Sequence, residues 1–134
     1  MTPQLPPEPE IARLELAEGQ ELTVFRIIRL ADPADPAFAD SFRSHSELGL
    51  PPRGVEAVHQ LIYEGVSVYE SREAAIETAR RWPRIGGYVA ELRLTRETGL
   101  RYLRWGPSGH LTLWADALTL SEAVVDTIPV EGRP

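Results

Sequence analysis

Apolar residues crowd into a strand-like run early in the chain. Leu22-Thr-Val-Phe-Arg-Ile-Ile-Arg-Leu30 is dominated by β-branched and aromatic residues, which suit a pleated, half-buried backbone. Period two puts Leu22, Val24, Arg26 and Ile28 on one face and Thr23, Phe25, Ile27 and Arg29 on the other. One arginine therefore falls on each face. Ahead of this strand, Ile11, Leu14 and Leu16 fit neither period, and Ala17-Glu-Gly-Gln20 reads as a turn. Behind it, Asp32-Pro-Ala-Asp-Pro36 punctuates the chain. Asp35 can cap a short helix with Pro36 at its first position, and Phe38 and Phe42, four apart, would share a face of it. After an irregular loop, Leu48 to Gly54, helical spacing returns at Val55, Val58, Leu61 and Ile62, and Gly65 stands where a C-terminal cap belongs.

The stretch from Gly65 to Leu94 is the most legible. Val66-Ser-Val-Tyr69 reads as a short strand, and Ser71 as the N-cap of a helix over Arg72 to Trp82. Glu73 in the first turn and Arg80 and Arg81 in the last match the helix dipole. Ala75, Ile76, Ala79 and Trp82 make the apolar stripe that should pack on a sheet. Pro83 ends the helix, Gly86-Gly87 turns the chain, and Tyr88 to Leu94 alternates as a strand. Leu100–Trp105 and His110–Trp114, joined by Gly106-Pro-Ser-Gly109, predict a hairpin. A short helix within Leu118–Val124 and a closing strand over Val125–Val130 follow, with Pro129 suited to a sheet edge. Strands and helices in this irregular order predict an α+β fold: one small domain, a split or mixed β-sheet and a few short helices.

Length agrees, since 134 residues suit one domain with one core. Residues 11–134 are assigned to that domain. Residues 1–10, with four prolines and two glutamates, are expected to form a flexible proline-rich arm. No run is long and apolar enough for a membrane span, and the N-terminus has no signal-peptide pattern. With no cysteine, disulfides, thiolate metal sites and cysteine nucleophiles are excluded, which suits a reducing, cytoplasmic setting. A net charge of −6 argues against binding duplex nucleic acid, which requires a basic face. All 14 cationic residues are arginine, and neither lysine nor asparagine occurs. That bias reads as the codon usage of a GC-rich, bacterial-type genome, or as a stock of guanidinium forks for carboxylate and phosphate.

No metal-ligand spacing is present: His45, His59 and His110 are scattered, so no metal is expected. There is no P-loop, nucleophile elbow or dinucleotide fingerprint. One order of elements nonetheless has chemical content. Phe25-Arg26 lies in an early strand, Gly65-Val-Ser-Val-Tyr-Glu-Ser71 runs into a helix, Gly87-Tyr-Val-Ala-Glu91 follows as a strand, and Trp114-Ala-Asp-Ala-Leu118 precedes the last β-segment.

This order resembles the ADP-ribosyltransferase-like superfamily, whose split sheet surrounds a nicotinamide cleft. The resemblance implies NAD as substrate, with Arg26 on its phosphates or ribose and Ser67 and Tyr69 lining the nicotinamide pocket. Asp116 would stand in for the late catalytic glutamate, alongside Tyr69, and His110 would enter the cleft. Such a site would use a carboxylate to stabilise an oxocarbenium-like ribose, an arginine to clamp diphosphate and an aromatic ring to stack on nicotinamide. The chain departs from the family pattern: only Ser67 stands where a Ser-Thr-Ser run belongs, and no Glu-x-Glu precedes the closing strand. Each residue also has a structural reading. Arg26 can pair with Glu91, Tyr69 and His110 can pack in the sheet, Ser71 can cap its helix, and Asp116 can turn the chain or cap the next one. The alternative function is a non-catalytic protein-interaction module, a toxin–antitoxin-type or partner-binding component.

Overall fold

The computed structural model describes residues 12–13, 18–51, 64–95, 101–104 and 110–130. They form one small α+β domain. Seven strands, β1 (Ala12–Arg13), β2 (Leu22–Ile28), β3 (Val66–Tyr69), β4 (Tyr88–Leu94), β5 (Arg101–Arg104), β6 (His110–Trp114) and β7 (Val124–Pro129), make a single sheet in the order β1-β5-β6-β3-β2-β4-β7. Where a split or mixed sheet was expected, the sheet is continuous and each neighbouring pair is antiparallel. The arm, the 55–62 helix and the tip of the β5–β6 hairpin lie outside the described residues.

The strand–helix–strand unit is present in a particular form. Helix α1 (Arg72–Arg81) joins β3 to β4, which run parallel because both pair antiparallel with β2 between them. The Ser71 hydroxyl accepts from the Ala74 amide at 3.1 Å, satisfying one of the helix's orphan donors. Gly86, at the turn into β4, could not carry a side chain, because a Cβ there would collide with the carbonyl of Ile28. Pro129 does sit on an edge strand, opposite Tyr88.

Period two in the strands builds two cores. On the first face, Val24, Ile28, Val66, Val68, Ala90, Leu92, Leu94, Leu111 and Leu113 are buried beneath Phe38, Phe42 and helix α2 (Ala117–Glu122), which contributes Ala117 and Leu120. The expected helix around Phe38 and Phe42 is a 3-10 segment, Phe38–Phe42, with the two rings 5.4 Å apart. Asp35 does not cap its first turn as expected; its carboxylate accepts from the Ala37 amide at 2.9 Å. On the second face α1 lays Ala75 and Ala79 on Phe25, Ile27, Val89 and Val130.

One expectation about packing fails. Trp82 does not pack on the sheet with the α1 stripe; it is 59% exposed. It is the C-cap residue, with φ −127° and ψ 72°, and the following Pro83 disfavours helical geometry at the position before it. The chain has already left the helical path at Trp82, so its side chain no longer continues the Ala75–Ala79 stripe.

Candidate functional site

Strand β2 carries Arg26 and is followed directly by Arg29, and the two arginines do different work. Arg26 lies on the first face between Val24 and Ile28. Its Nε donates to the Ser41 carbonyl and its Nη1 to the Ser67 carbonyl, each at 2.6 Å. It thereby ties the 3-10 segment to β3 at the seam where β2 and β3 pair only through Phe25 and Tyr69. Burial pushes its guanidinium down to about 10, opposed by the nearby Tyr69 phenol. The expected pairing of Arg26 with Glu91 is not made. Glu91 sits on the other face and meets Arg72 at 3.4 Å and Arg93 at 3.7 Å.

The residues expected around a nicotinamide cleft are distributed rather than gathered. Val66 and Val68 belong to the first core, so Ser67 and Tyr69 project to the second face, where Tyr69 packs beside Phe25. The sheet thus separates their side chains from that of Arg26. Asp116 is the N-cap of α2, its carboxylate accepting from the Thr119 amide at 3.3 Å. His110 opens β6, its backbone opposite Tyr69. Among the described residues no group of three or more His, Asp or Glu side chains is arranged to hold a metal. No helix there is long and apolar enough to cross a membrane.

A concave feature among the described residues lies elsewhere, along the flank of α1. A groove of about 250 Å³ is lined by Tyr69, Ala74, Glu77, Thr78, Arg81 and Trp82. Positions 74, 77–78 and 81 recur at helical spacing, so these residues share one side of the helix over about 10.5 Å at 1.5 Å per residue, and Trp82 follows at the C-cap. The Thr78 hydroxyl donates to the Ala74 carbonyl at 2.8 Å. At one end stands the Tyr69 ring; at the other, exposed Trp82 is joined across the turn by Ile85, 44% exposed.

That turn is held firmly. The Ile85 amide donates to the Trp82 carbonyl at 3.0 Å. Arg29, the residue just after β2, donates from Nη2 to the Arg84 carbonyl at 2.8 Å and from Nε to the Ile85 carbonyl at 3.3 Å. Among the described residues no ion pair engages Arg81 or Arg84. The groove therefore ends in an aromatic ring beside the Arg81 side chain, next to a turn whose carbonyls Arg29 holds. Such an end can take a carboxylate or phosphate by charge-assisted hydrogen bonds and a flat or ring-shaped group by stacking.

Sequence reasoning missed Trp82 as a surface residue by extending the helical stripe one residue too far. The signal was there in Trp82-Pro83, a helix-ending pair directly after Arg80-Arg81. No protein-family model, curated protein or solved structure matches the chain.

Proposed function

We propose that the protein is a non-catalytic interaction module whose binding face is the α1 groove, and that it recognises an extended acidic segment of a protein partner. The observation that carries this reading is exposed Trp82, presented on a clamped turn beside Arg81 and Arg84. Large exposed aromatic rings next to arginine are the anchors that interfaces favour. A pre-held turn reduces the ordering cost of binding. Glu77, midway along the groove, repels an anion there and directs negative charge to the Arg81 end.

A nucleotide-consuming enzyme is the less supported alternative. It requires Arg26, Ser67, Tyr69 and a late carboxylate in one cleft. Arg26 is bonded to two carbonyls on the far side of the sheet from Ser67 and Tyr69, and Asp116 is a helix cap.

Fluorescence anisotropy with a labelled peptide of alternating glutamate and proline tests the proposal. Binding should weaken with added salt, and by at least about tenfold in the Arg81→Glu, Arg84→Glu double variant, which adds like charge at the interface. The same labelled peptide should not be displaced by NAD. Equal affinity in wild type and double variant would remove the α1 groove from consideration, as would preferential binding of a labelled single-stranded oligonucleotide.

A further inference from the structure

Strand β7 forms one edge of the sheet, and among the described residues no strand pairs with its outer side. Val125, Asp126 and Pro129 are exposed on it. An open edge is a template for another strand, because its outward main-chain donors and acceptors are unpaired. The register with β4 identifies those groups. The Val130 amide donates to the Gly87 carbonyl at 3.0 Å, so these two residues form a hydrogen-bonded pair. Bonded and non-bonded pairs alternate in an antiparallel ladder. Ile128 opposite Val89 is therefore the next bonded pair. Pro129 opposite Tyr88 and Thr127 opposite Ala90 direct their main-chain groups away from β4.

Neither of these outward positions offers a donor. Pro129 has no N–H. The Thr127 amide donates at 2.9 Å to the carboxylate of Asp126, its neighbour in the chain. A carbonyl is what each position still presents. Nearer α2, Val125 is an extra residue between the pairs Glu91–Asp126 and Leu92–Val124, and such a bulge bends the strand and interrupts a regular edge.

The consequence is sharpest for a second copy of this chain. Two β7 strands related by a twofold axis would pair antiparallel. With the axis at Ile128, Thr127 of one copy faces Pro129 of the other; with the axis at Thr127, the two threonines face each other. In both registers carbonyl meets carbonyl with no amide to bridge them. We propose that Asp126 and Pro129 keep the β7 edge closed to strand addition by a second copy, so that the sheet ends at β7. This device is separate from the α1 groove and does not depend on it.

Sedimentation velocity of the full chain over a concentration series tests the proposal. Asp126→Ala combined with Pro129→Val frees one amide and restores another, and its mean mass should climb with concentration beyond that of the wild type. Asp126→Asn combined with Pro129→Val should associate less, because the amide oxygen of asparagine still accepts from Thr127. A first double variant whose mass tracks the wild type would overturn the proposal. So would equal association of the two double variants, which would assign the effect to lost charge. Amide exchange in dilute solution gives a second readout from single variants that leave Pro129 in place. Thr127 should exchange at least several-fold faster in Asp126→Ala and at the wild-type rate in Asp126→Asn. One common rate in all three proteins would remove the carboxylate as guard.

Discussion

The two faces of the sheet are closed in different ways. On the first, large side chains from four strands, the 3-10 segment and α2 pack together, and the cation among them, Arg26, is committed to two main-chain carbonyls. On the second, α1 approaches through the small residues Ala75 and Ala79 and turns its arginines and Trp82 outward. Arg26 in β2 and Arg29 just after it make the contrast compact. Arg26 holds the interior, while three residues later Arg29 clamps an exposed turn. Type alone does not assign a role to an arginine. What its donors meet does.

If that contrast is right, substitutions on the first face should cost stability and those on the α1 groove should cost binding. The largest loss is expected for Arg26→Met, which leaves the Ser41 and Ser67 carbonyls without their donor. At about 1–3 kcal/mol for a buried unsatisfied group, the combined cost for two carbonyls should be about 2–6 kcal/mol, read from the denaturant midpoint. Its pH dependence follows from the lowered pKa. Burial lowers the native Arg26 guanidinium to about 10, whereas the unfolded chain keeps the ordinary, higher value of a guanidinium. Between those values the unfolded state binds more protons, so the contribution of this site to stability rises with pH across that window. The difference between wild type and Arg26→Met should be flat around neutrality and grow above about pH 10. A difference that shrinks there would contradict a guanidinium destabilised by burial.

Ala79→Leu comes next, at about 1–3 kcal/mol from overpacking between α1 and the sheet. A smaller loss is expected where a cap is removed. Asp116→Ala should lower stability by about 1 kcal/mol while leaving peptide binding intact, and a specific loss of NAD binding instead would restore a catalytic reading of that carboxylate. The smallest change in stability belongs to Trp82→Ala, within about 0.5 kcal/mol for a surface position, accompanied by a clear loss of peptide affinity. A cost of several kcal/mol would mean that the ring is part of the core after all.

Much of this architecture was legible in the chain. Alternation in Leu22–Ile28 assigned residues to the correct faces, and in Tyr88–Leu94 it marked a strand, because period two is enforced by the pleat. Ser71 and Asp116 each cap a helix, the structural reading available to both from side-chain chemistry alone. Less legible was everything that depends on partners distant in sequence. Arg26 was open to Glu91, two strand faces being indistinguishable until packing orients them; its actual partners, Ser41 and Ser67, are main-chain carbonyls, which carry no sequence signal. The order of elements suggested a nicotinamide cleft, but an order of strands does not say which side of a sheet Ser67 and Tyr69 share. The groove escaped notice because it is built from a helix flank, where Glu77, Thr78 and Arg81 look like an ordinary solvated face, and from a tryptophan whose hydrophobicity argued for burial.

The most direct measurement of the central claim is an amide chemical-shift map of the protein titrated in parallel with the glutamate–proline peptide and with NAD. The account predicts that the peptide shifts a contiguous set at Tyr69, Ala74–Trp82 and Arg84–Ile85, with Ser41, Ser67 and Asp116 unmoved, and that NAD produces no comparable set. Shifts from NAD converging on Arg26, Ser67 and Asp116, with the α1 flank silent to peptide, would contradict it.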